Sequence, residues 1–193
     1  MARKVGVTHE QLVTVAGQLA DANGLDQLTL TQVAESLRIR LPSVYNHVSG
    51  LTGLRRDLAM LGGQQILARI NREAIGKSVD EAVMDVSKAF RTYATEHPGL
   101  YQAAEHAPAE GDKEAQQLAG EIVGVVLAVL RPLKLGETEA IHAVRGLRSI
   151  IHGFVMLERD GGFGMPVDHE ESYEFLVKTY LVGLHQGCEF RGN

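Results

Sequence analysis

Two short helical segments lie close together in residues 29–48, with only a few residues between them. Thr29 and Gln32 have the spacing of a capping box, so a helix is predicted to begin there. Pro42 stands where a second helix would begin, because proline is favoured in a first helical turn, and Ser49-Gly50 would end that helix. Two helices joined by so tight a turn are typical of a helix-turn-helix, whose second helix lies in the major groove of DNA.

Residues 29–48 separate into packing positions and outward-facing positions. Five apolar residues are spaced to hold the two helices together: Val33, Ala34, Ile39, Val44 and Val48. Polar side chains can hydrogen-bond base edges and apolar ones can contact a thymine methyl, which suits the residues at the start of the second helix: Arg40, Leu41, Pro42, Ser43 and Asn46. Tyr45 and His47 are suited to phosphate oxygens. Thr29 and Thr31 lie at a helix N-terminus, whose amides attract phosphate.

The rest of the sequence also has helical patterning, and an all-α fold is predicted. We expect about nine helices, namely an N-terminal three-helix helix-turn-helix domain over residues 1–57 and a C-terminal antiparallel helical bundle over 58–193. Capping boxes at Thr8 and Ser78 and a break at residues 97–99 mark helix ends. The predicted bounds are 8–23, 29–37, 42–47, 52 into the 70s, 78–96, 100–105, 112–131, 137–159 and 169–188.

A glycine pair and an apolar run each predict a specific feature of a helix. Gly62-Gly63 is predicted to be a weak point or kink in the fourth helix. The run from Ile122 to Leu130 is predicted to be a buried central helix, since it is much shorter than the roughly 20 residues that span a bilayer.

The charge is unevenly distributed along the chain. The formal net charge is −5, but residues 1–57 hold six Lys/Arg against five acids, so they carry +1 and the remainder carries −6. The first segment is therefore the better candidate for contact with DNA. The single cysteine, Cys188, cannot form an internal disulfide, and Met1 to Lys4 have no apolar stretch behind them, unlike a signal peptide. A cytoplasmic, nucleoid-associated protein is expected.

Residues 8–57 closely resemble the DNA-binding domain of the TetR family of transcriptional regulators. The resemblance lies in the run from Leu41 to Val48 and in further matching positions: Thr29, Val33-Ala34, Ile39 and Leu54. Two positions depart from the family. Arg38 stands in the turn where the family usually has glycine, so a positive φ there would carry a cost. Leu51 replaces a lysine that contacts phosphate in the family, and Arg55 or Arg56 could substitute for it.

Residues from His97 onward resemble a TetR C-terminal domain of the subgroup with a Trp-His-Gly signature. The matching segments are residues 97–101, 146–154 and 161–164, although only His152-Gly153 remains of the signature because the chain has no Trp. The resemblance implies a homodimer formed through the last two long helices and an effector pocket in the bundle. The candidate pocket residues are Phe90, Tyr93, Tyr101, His106, His152 and Met156.

These features predict a ligand-released repressor that binds a palindromic DNA operator as a homodimer and responds to a small-molecule effector. No cofactor, metal site or membrane partner is expected, because no His-x-x-x-His pair or Cys cluster occurs. An all-α enzyme is disfavoured, since no nucleophile–base pairing or phosphate-binding Gly loop is found. The alternative left open is a helical protein-interaction adaptor that has lost or weakened DNA binding, which Arg38 and Leu51 would explain.

Overall fold

The structure is a computed structural model that describes residues 6–189, and in this range the chain is helical with no strand. The helices are α1 (His9–Asn23), α2 (Leu30–Ser36), α3 (Leu41–Val44), α4 (Gly50–Ala74), α5 (Val79–Glu96), α6 (Pro98–Ala104), α7 (Lys113–Leu130), α8 (Glu137–Arg159) and α9 (His169–Glu189). The all-α prediction is confirmed. The basic residues Met1 to Lys4 lie outside the described residues, as does the side chain of Cys188.

The helix starts predicted from capping boxes are confirmed. Thr8 and Thr29 each accept a hydrogen bond from the amide of the glutamine three residues later, and that glutamine bonds back to the threonine amide. Ser78 and Glu81 are paired in the same way, with the Ser78 amide donating to Glu81 at 3.1 Å. Each reciprocal pair satisfies two backbone amides that have no partner inside the helix, which fixes the residue at which the helix begins.

The chain divides into two compact units. Among the described residues, unit 1 contains those up to Gln65 together with Glu96–Ala115, and unit 2 contains Ile66–Thr95 together with those from Gln116 onward. Unit 1 therefore holds α1 to α3, most of α4 and all of α6. The predicted domain boundary after residue 57 falls inside α4.

In unit 1, the α4 helix runs through Gly62-Gly63 without interruption, so the two glycines predicted to be a weak point or kink do not break the helix. The reason for a small residue is packing against α6. A Cβ atom on Gly62 would lie 2.6 Å from the carbonyl oxygen of Leu100, closer than a carbon atom can approach. Glycine at position 62 lets the two backbones touch.

Unit 2 is held together by an aromatic and ionic cluster on α5, α8 and α9. The buried Tyr173 hydroxyl donates a 2.7 Å hydrogen bond to the Ser87 carbonyl, and its ring meets that of Phe154 edge-on at 5.0 Å. The guanidinium of Arg91 lies over both rings and bonds both carboxylate oxygens of Glu158, at 2.7 and 2.9 Å. This bidentate pairing lowers the pKa of Glu158. The cluster fixes α5, α8 and α9 to one another.

The run from Ile122 to Leu130, predicted to be a buried central helix, is only partly buried. Val126, Val129 and Leu130 are buried, while Gly124 and Ala128 are exposed. Apolar composition predicts that a helix packs, but it does not specify how many faces its neighbours cover. By length and composition alone, α7 with the following turn (Lys113–Leu133) is the one described helix that could cross a membrane, a test that the core helix of a globular domain also passes.

Candidate nucleic-acid interface

The turn between α2 and α3 is built around Arg38. The amides of Arg38 and Ile39 donate to the carbonyls of Glu35 and Ala34, each at 3.0 Å, which is the hydrogen-bond pattern of a Schellman motif. Arg38 has φ 53°, in the left-handed region that glycine normally occupies. The turn therefore keeps the backbone conformation that the family achieves with glycine, and it does so at the energetic cost expected from the sequence.

The predicted packing residues lie beneath this turn. Val33 and Val44 are fully buried, and Ala34 and Val48 are 3% and 5% exposed, whereas Ile39 is half-buried. Ala34 lies on α2 and Val44 on α3, which pack together within the helix-turn-helix. The apolar side of α3 is consequently occupied, and its other side faces outward.

The structure exposes most of the predicted DNA-contacting residues. Seven are exposed and two, Ser43 and His47, are half-buried; the exposed ones are Thr29, Thr31, Arg40, Leu41, Pro42, Tyr45 and Asn46. Tyr45 is 57% exposed and Leu41 36% exposed, so both side chains are available for contact with a partner. The helical part of α3 is short, Leu41–Val44, and hydrogen-bonded turns continue it to Val48.

The hydroxyl of Thr29 already has local partners. It accepts from the Gln32 amide at 3.2 Å and donates to the Gln32 side chain at 3.0 Å. A phosphate contact from Thr29 would therefore compete with the capping box. The neighbouring Thr31 is exposed on the first turn of α2, where backbone amides favour an anion.

Arg55 and Arg56 have acceptors inside unit 1. Arg55 donates to the Leu25 carbonyl at 3.4 Å and lies 3.6 Å from Asp26. Arg56 bonds both oxygens of Asp112, at 2.6 and 2.9 Å, and Glu114 at 2.8 Å. These carboxylates raise the pKa of Arg56, and Arg56 in turn lowers the pKa of Asp112. Either arginine would have to leave these partners to replace the phosphate contact that is missing at Leu51.

Asp21 joins α1 to α6, a contact that the sequence does not reveal. Its carboxylate accepts from the Gly99 and Leu100 amides at 2.9 and 3.0 Å and lies 3.0 Å from His97 Nδ1. Gly99 is essential for this approach, because a Cβ there would lie 2.3 Å from the Ala20 carbonyl carbon. Asp21 thus caps the N-terminus of α6 and holds α6 against α1, the helix that precedes the helix-turn-helix.

The six predicted effector residues are distributed over both units. Tyr101 and His106 belong to unit 1, where Tyr101 is buried and His106 is exposed. In unit 2, Tyr93 is fully buried beside Arg69, whereas Phe90, His152 and Met156 are half-buried. None of the six lines either of two cavities in unit 2, one of about 580 Å³ beside α4, α5 and α7 and one of about 420 Å³ beside α5 and α9.

Unit 2 also exposes large apolar side chains on its last two helices. Phe175 is 72% exposed, Val182 54%, Leu157 51% and Ile141 37%. These four side chains lie on α8 and α9, the two long helices through which the resemblance implies a homodimer. Among the side chains that the structure describes, no group of three or more His, Cys, Asp or Glu is placed to hold a metal ion.

A packed α2–α3 pair with an exposed polar face defines a DNA-binding regulator of the helix-turn-helix class. The tetracyclin repressor-like C-terminal domain model matches residues 83–180. The HTH-type transcriptional regulator YobS of Bacillus subtilis is 33% identical over 187 residues, 95% of this chain and 96% of YobS. The chain belongs to the TetR family of transcriptional regulators.

Two further comparisons agree with this assignment. An HTH-type transcriptional regulator of Mycobacterium tuberculosis is 35% identical over 187 residues, covering 96% of this chain and 85% of the relative. A crystal structure of a variant of TetR from Acinetobacter baumannii in complex with minocycline has a TM-score of 0.73 at 17% identity, covering 94% of this chain and 98% of that one. At that identity the second comparison shows a shared fold.

Proposed function

We propose that this regulator is a ligand-released repressor that binds a palindromic operator as a homodimer, and that it works in the cytoplasm, associated with the nucleoid. The observation that carries the proposal is the exposed face of α3, where polar and apolar side chains project from a helix whose other side is packed. A DNA groove can use both kinds of side chain, with Leu41 against a thymine methyl group and Tyr45 against a phosphate.

The contacts on DNA divide by chemistry. Arg40, Ser43 and Asn46 would hydrogen-bond base edges, and Leu41 and Pro42 would contact thymine methyl groups. The remaining residues would hold phosphates, with hydroxyl, imidazole and backbone groups as donors: Thr29, Thr31, Tyr45 and His47. In this assignment, residues at the start of α3 read the base sequence, and the residues around them orient the protein on the DNA by holding phosphates.

A homodimer is supported by the exposed apolar residues of α8 and α9. Phe175 and Val182 on α9, with Ile141 and Leu157 on α8, would be covered by the same residues of a second subunit. A two-fold dimer also suits DNA, because two recognition helices about 34–36 Å apart meet successive major grooves on one face of the duplex.

Control by a small molecule is supported by the fold shared with the minocycline-bound TetR variant. Phe90, Tyr93, Tyr101, His106, His152 and Met156 remain the effector contacts proposed from the sequence. A ligand can release the operator only to the extent that it binds the released conformation more tightly than the DNA-bound one.

The test is to incubate the purified protein with fragmented DNA from its source genome and to sequence the retained fragments. We expect a short palindrome, retained by the parent protein and lost with the Tyr45→Ala/His47→Ala double variant. The control is His142→Ala, which removes an exposed imidazole from α8 and should leave retention unchanged. A folded dimer that retains no palindrome at low salt would contradict the proposal and favour a protein-interaction adaptor.

A further inference from the structure

We propose that unit 2 carries a binding site for a lipophilic cation in the groove between α4, α5 and α7. The groove is the cavity of about 580 Å³, within the range of small-molecule sites. Its lining residues are Leu67, Asn71, Ala74, Ile75, Lys77, Ser78, Val79, Ala82, Glu121, Gly124, Val125, Ala128, Val129 and Pro132. The inference rests on the proposed ligand control for its regulatory meaning, and it places the ligand in a groove that contains none of the six effector residues proposed from the sequence.

Most of the groove is apolar, which defines the first property of its ligand. Leucine, isoleucine, valine, alanine and proline side chains line it, and Ile75 is 76% exposed at the end of α4. On α7, Gly124 and Ala128 are exposed and leave the groove open along that helix. Covering these residues removes apolar surface from water, so an apolar molecule gains free energy by entering.

The one ammonium in the lining is already neutralised. Lys77 Nζ donates to Glu73 at 3.0 Å and lies 2.8 Å from Asp85, and these two carboxylates raise the pKa of Lys77. The side chain of Ser78 donates to a further carboxylate, that of Glu81, at 2.7 Å. An anionic ligand would therefore have to displace existing carboxylates to reach a positive charge.

Glu121 supplies a carboxylate that no described cation neutralises. It lies in the lining on α7, and its described partner is the neutral side-chain amide of Gln117, at 2.8 Å. Glu121 is itself exposed, and the arginines next in sequence to lining residues, Arg72 and Arg131, are exposed and lie outside the lining. Arg72 Nε lies 4.0 Å from Glu73, so it offsets part of the negative charge near Lys77. Together with the carboxylates around Lys77, Glu121 makes the groove electrostatically negative.

The partial charges at the helix ends also favour a cationic ligand. The last turns of α4 and α7 reach the groove through Ala74 and Val129, and helix C-termini carry partial negative charge. The one N-terminus at the groove, that of α5, has Asp80 and Glu81 in its first turn, which offset its partial positive charge. An apolar body with a single positive charge is therefore the ligand that complements the groove.

Two ions of the same shape and opposite charge test this assignment directly. Tetraphenylphosphonium and tetraphenylborate are titrated into the DNA-free protein in potassium-free buffer, and binding is measured by calorimetry. We expect the cation to bind at least about tenfold more tightly than the anion. Glu121→Gln should weaken cation binding by about fivefold, while Glu137→Gln, which removes an exposed carboxylate from α8, should not change it. Equal or tighter binding of the anion would overturn the proposal.

A second pair of variants tests the location. Gly124 lines the groove and Gly120 does not, yet a Cβ atom at either position would have no heavy atom within 4 Å, so α7 accepts a side chain at both. Gly124→Leu should reduce cation binding by more than about tenfold by filling the groove, and Gly120→Leu should leave it unchanged. Equal effects of the two variants would place the cation elsewhere and refute the site.

The link to DNA is measured separately, so that the two proposals can fail independently. Tetraphenylphosphonium is added to the protein bound to its selected operator. Binding in the groove without operator release would uphold the site and contradict ligand release through it. Operator release that persists in Gly124→Leu would uphold ligand control and refute the groove as its site.

Discussion

The backbone amide of Ile39 donates a 3.0 Å hydrogen bond to the carbonyl of Ala34, and this bond closes the helix-turn-helix turn around Arg38. The bond requires a left-handed residue between its ends, and Arg38 adopts φ 53° to provide it. An L side chain is crowded in that conformation, whereas glycine is not. The turn geometry of the family is therefore retained without the residue that normally favours it.

Replacing Arg38 by glycine should stabilise the protein. We expect Arg38→Gly to raise the free energy of unfolding by about 1 kcal/mol, measured by urea denaturation, because the left-handed strain is removed. Arg40→Gly is the matched control, since Arg40 has φ −80° and loses the same charge without relief of strain. An equal gain in both variants would show that charge, and not backbone strain, is responsible.

A methyl group on Gly62 should destabilise unit 1. Its Cβ would lie 2.6 Å from the Leu100 carbonyl oxygen, so α6 must shift away from α4. Gly62→Ala is expected to cost about 1–3 kcal/mol in chemical denaturation. The control Gly120→Ala places a methyl group in open space on α7 and should be neutral or stabilising by up to about 1 kcal/mol. Similar losses in both variants would contradict the packing role of Gly62.

A charge on the exposed apolar surface of α9 should prevent dimer formation. Phe175 is 72% exposed, and burying a carboxylate at its position against a second subunit carries a large desolvation penalty. We expect Phe175→Asp to sediment as a monomer at concentrations where the parent protein is a dimer. Met165→Asp changes an equally exposed apolar residue in the loop before α9 and should remain dimeric. A dimeric Phe175→Asp would move the interface away from α9.

The stability of unit 2 should fall in acid through Glu174. Lys88 and Lys178 hold the pKa of Glu174 at about 2, below its usual 4.5. Because the folded pKa is the lower one, this carboxylate stabilises the fold above about pH 4.5, and its contribution is lost as the pH falls towards about 2. Glu174→Gln should therefore lower the urea midpoint at neutral pH and converge with the parent protein near pH 2.

The comparison for this prediction is Glu171→Gln, which changes an exposed carboxylate on the first turn of the same helix. Its urea midpoint should follow the parent protein across the acid range. If the two variants have the same pH dependence, the ion pairs of Glu174 contribute nothing specific, and the loss of stability in acid has another origin.

Local patterns account for most of what the sequence predicts correctly. The capping boxes of Thr8, Thr29 and Ser78 place helix starts, since each depends on residues three positions apart. The outward face of α3 follows from the spacing of its buried valines. The resemblance, with glycine usual at the position of Arg38, raises the question of a positive φ there, and the structure answers it with φ 53°.

Contacts between distant segments are what the sequence does not predict. Asp21 caps α6 through amides 78 and 79 residues away, and Arg56 meets Asp112 across 56 residues, with no local spacing to indicate either pair. The sequence predicts a kink at Gly62-Gly63 for the same reason, since the close approach of Gly62 to Leu100 joins segments that are far apart in the chain. The partial burial of α7 depends on which faces its neighbours cover.

The attachment of α6 to α1 has a consequence for engineering chimeric regulators. Unit 1 is discontinuous in sequence, because it takes Glu96–Ala115 from beyond a 30-residue stretch that belongs to unit 2. A recombinant protein that exchanges only residues 1–57 with a relative would keep a foreign α6, with Gly99 and its neighbours facing an α1 to which they are not matched. A transplant of DNA specificity should carry both segments, or carry α3 alone.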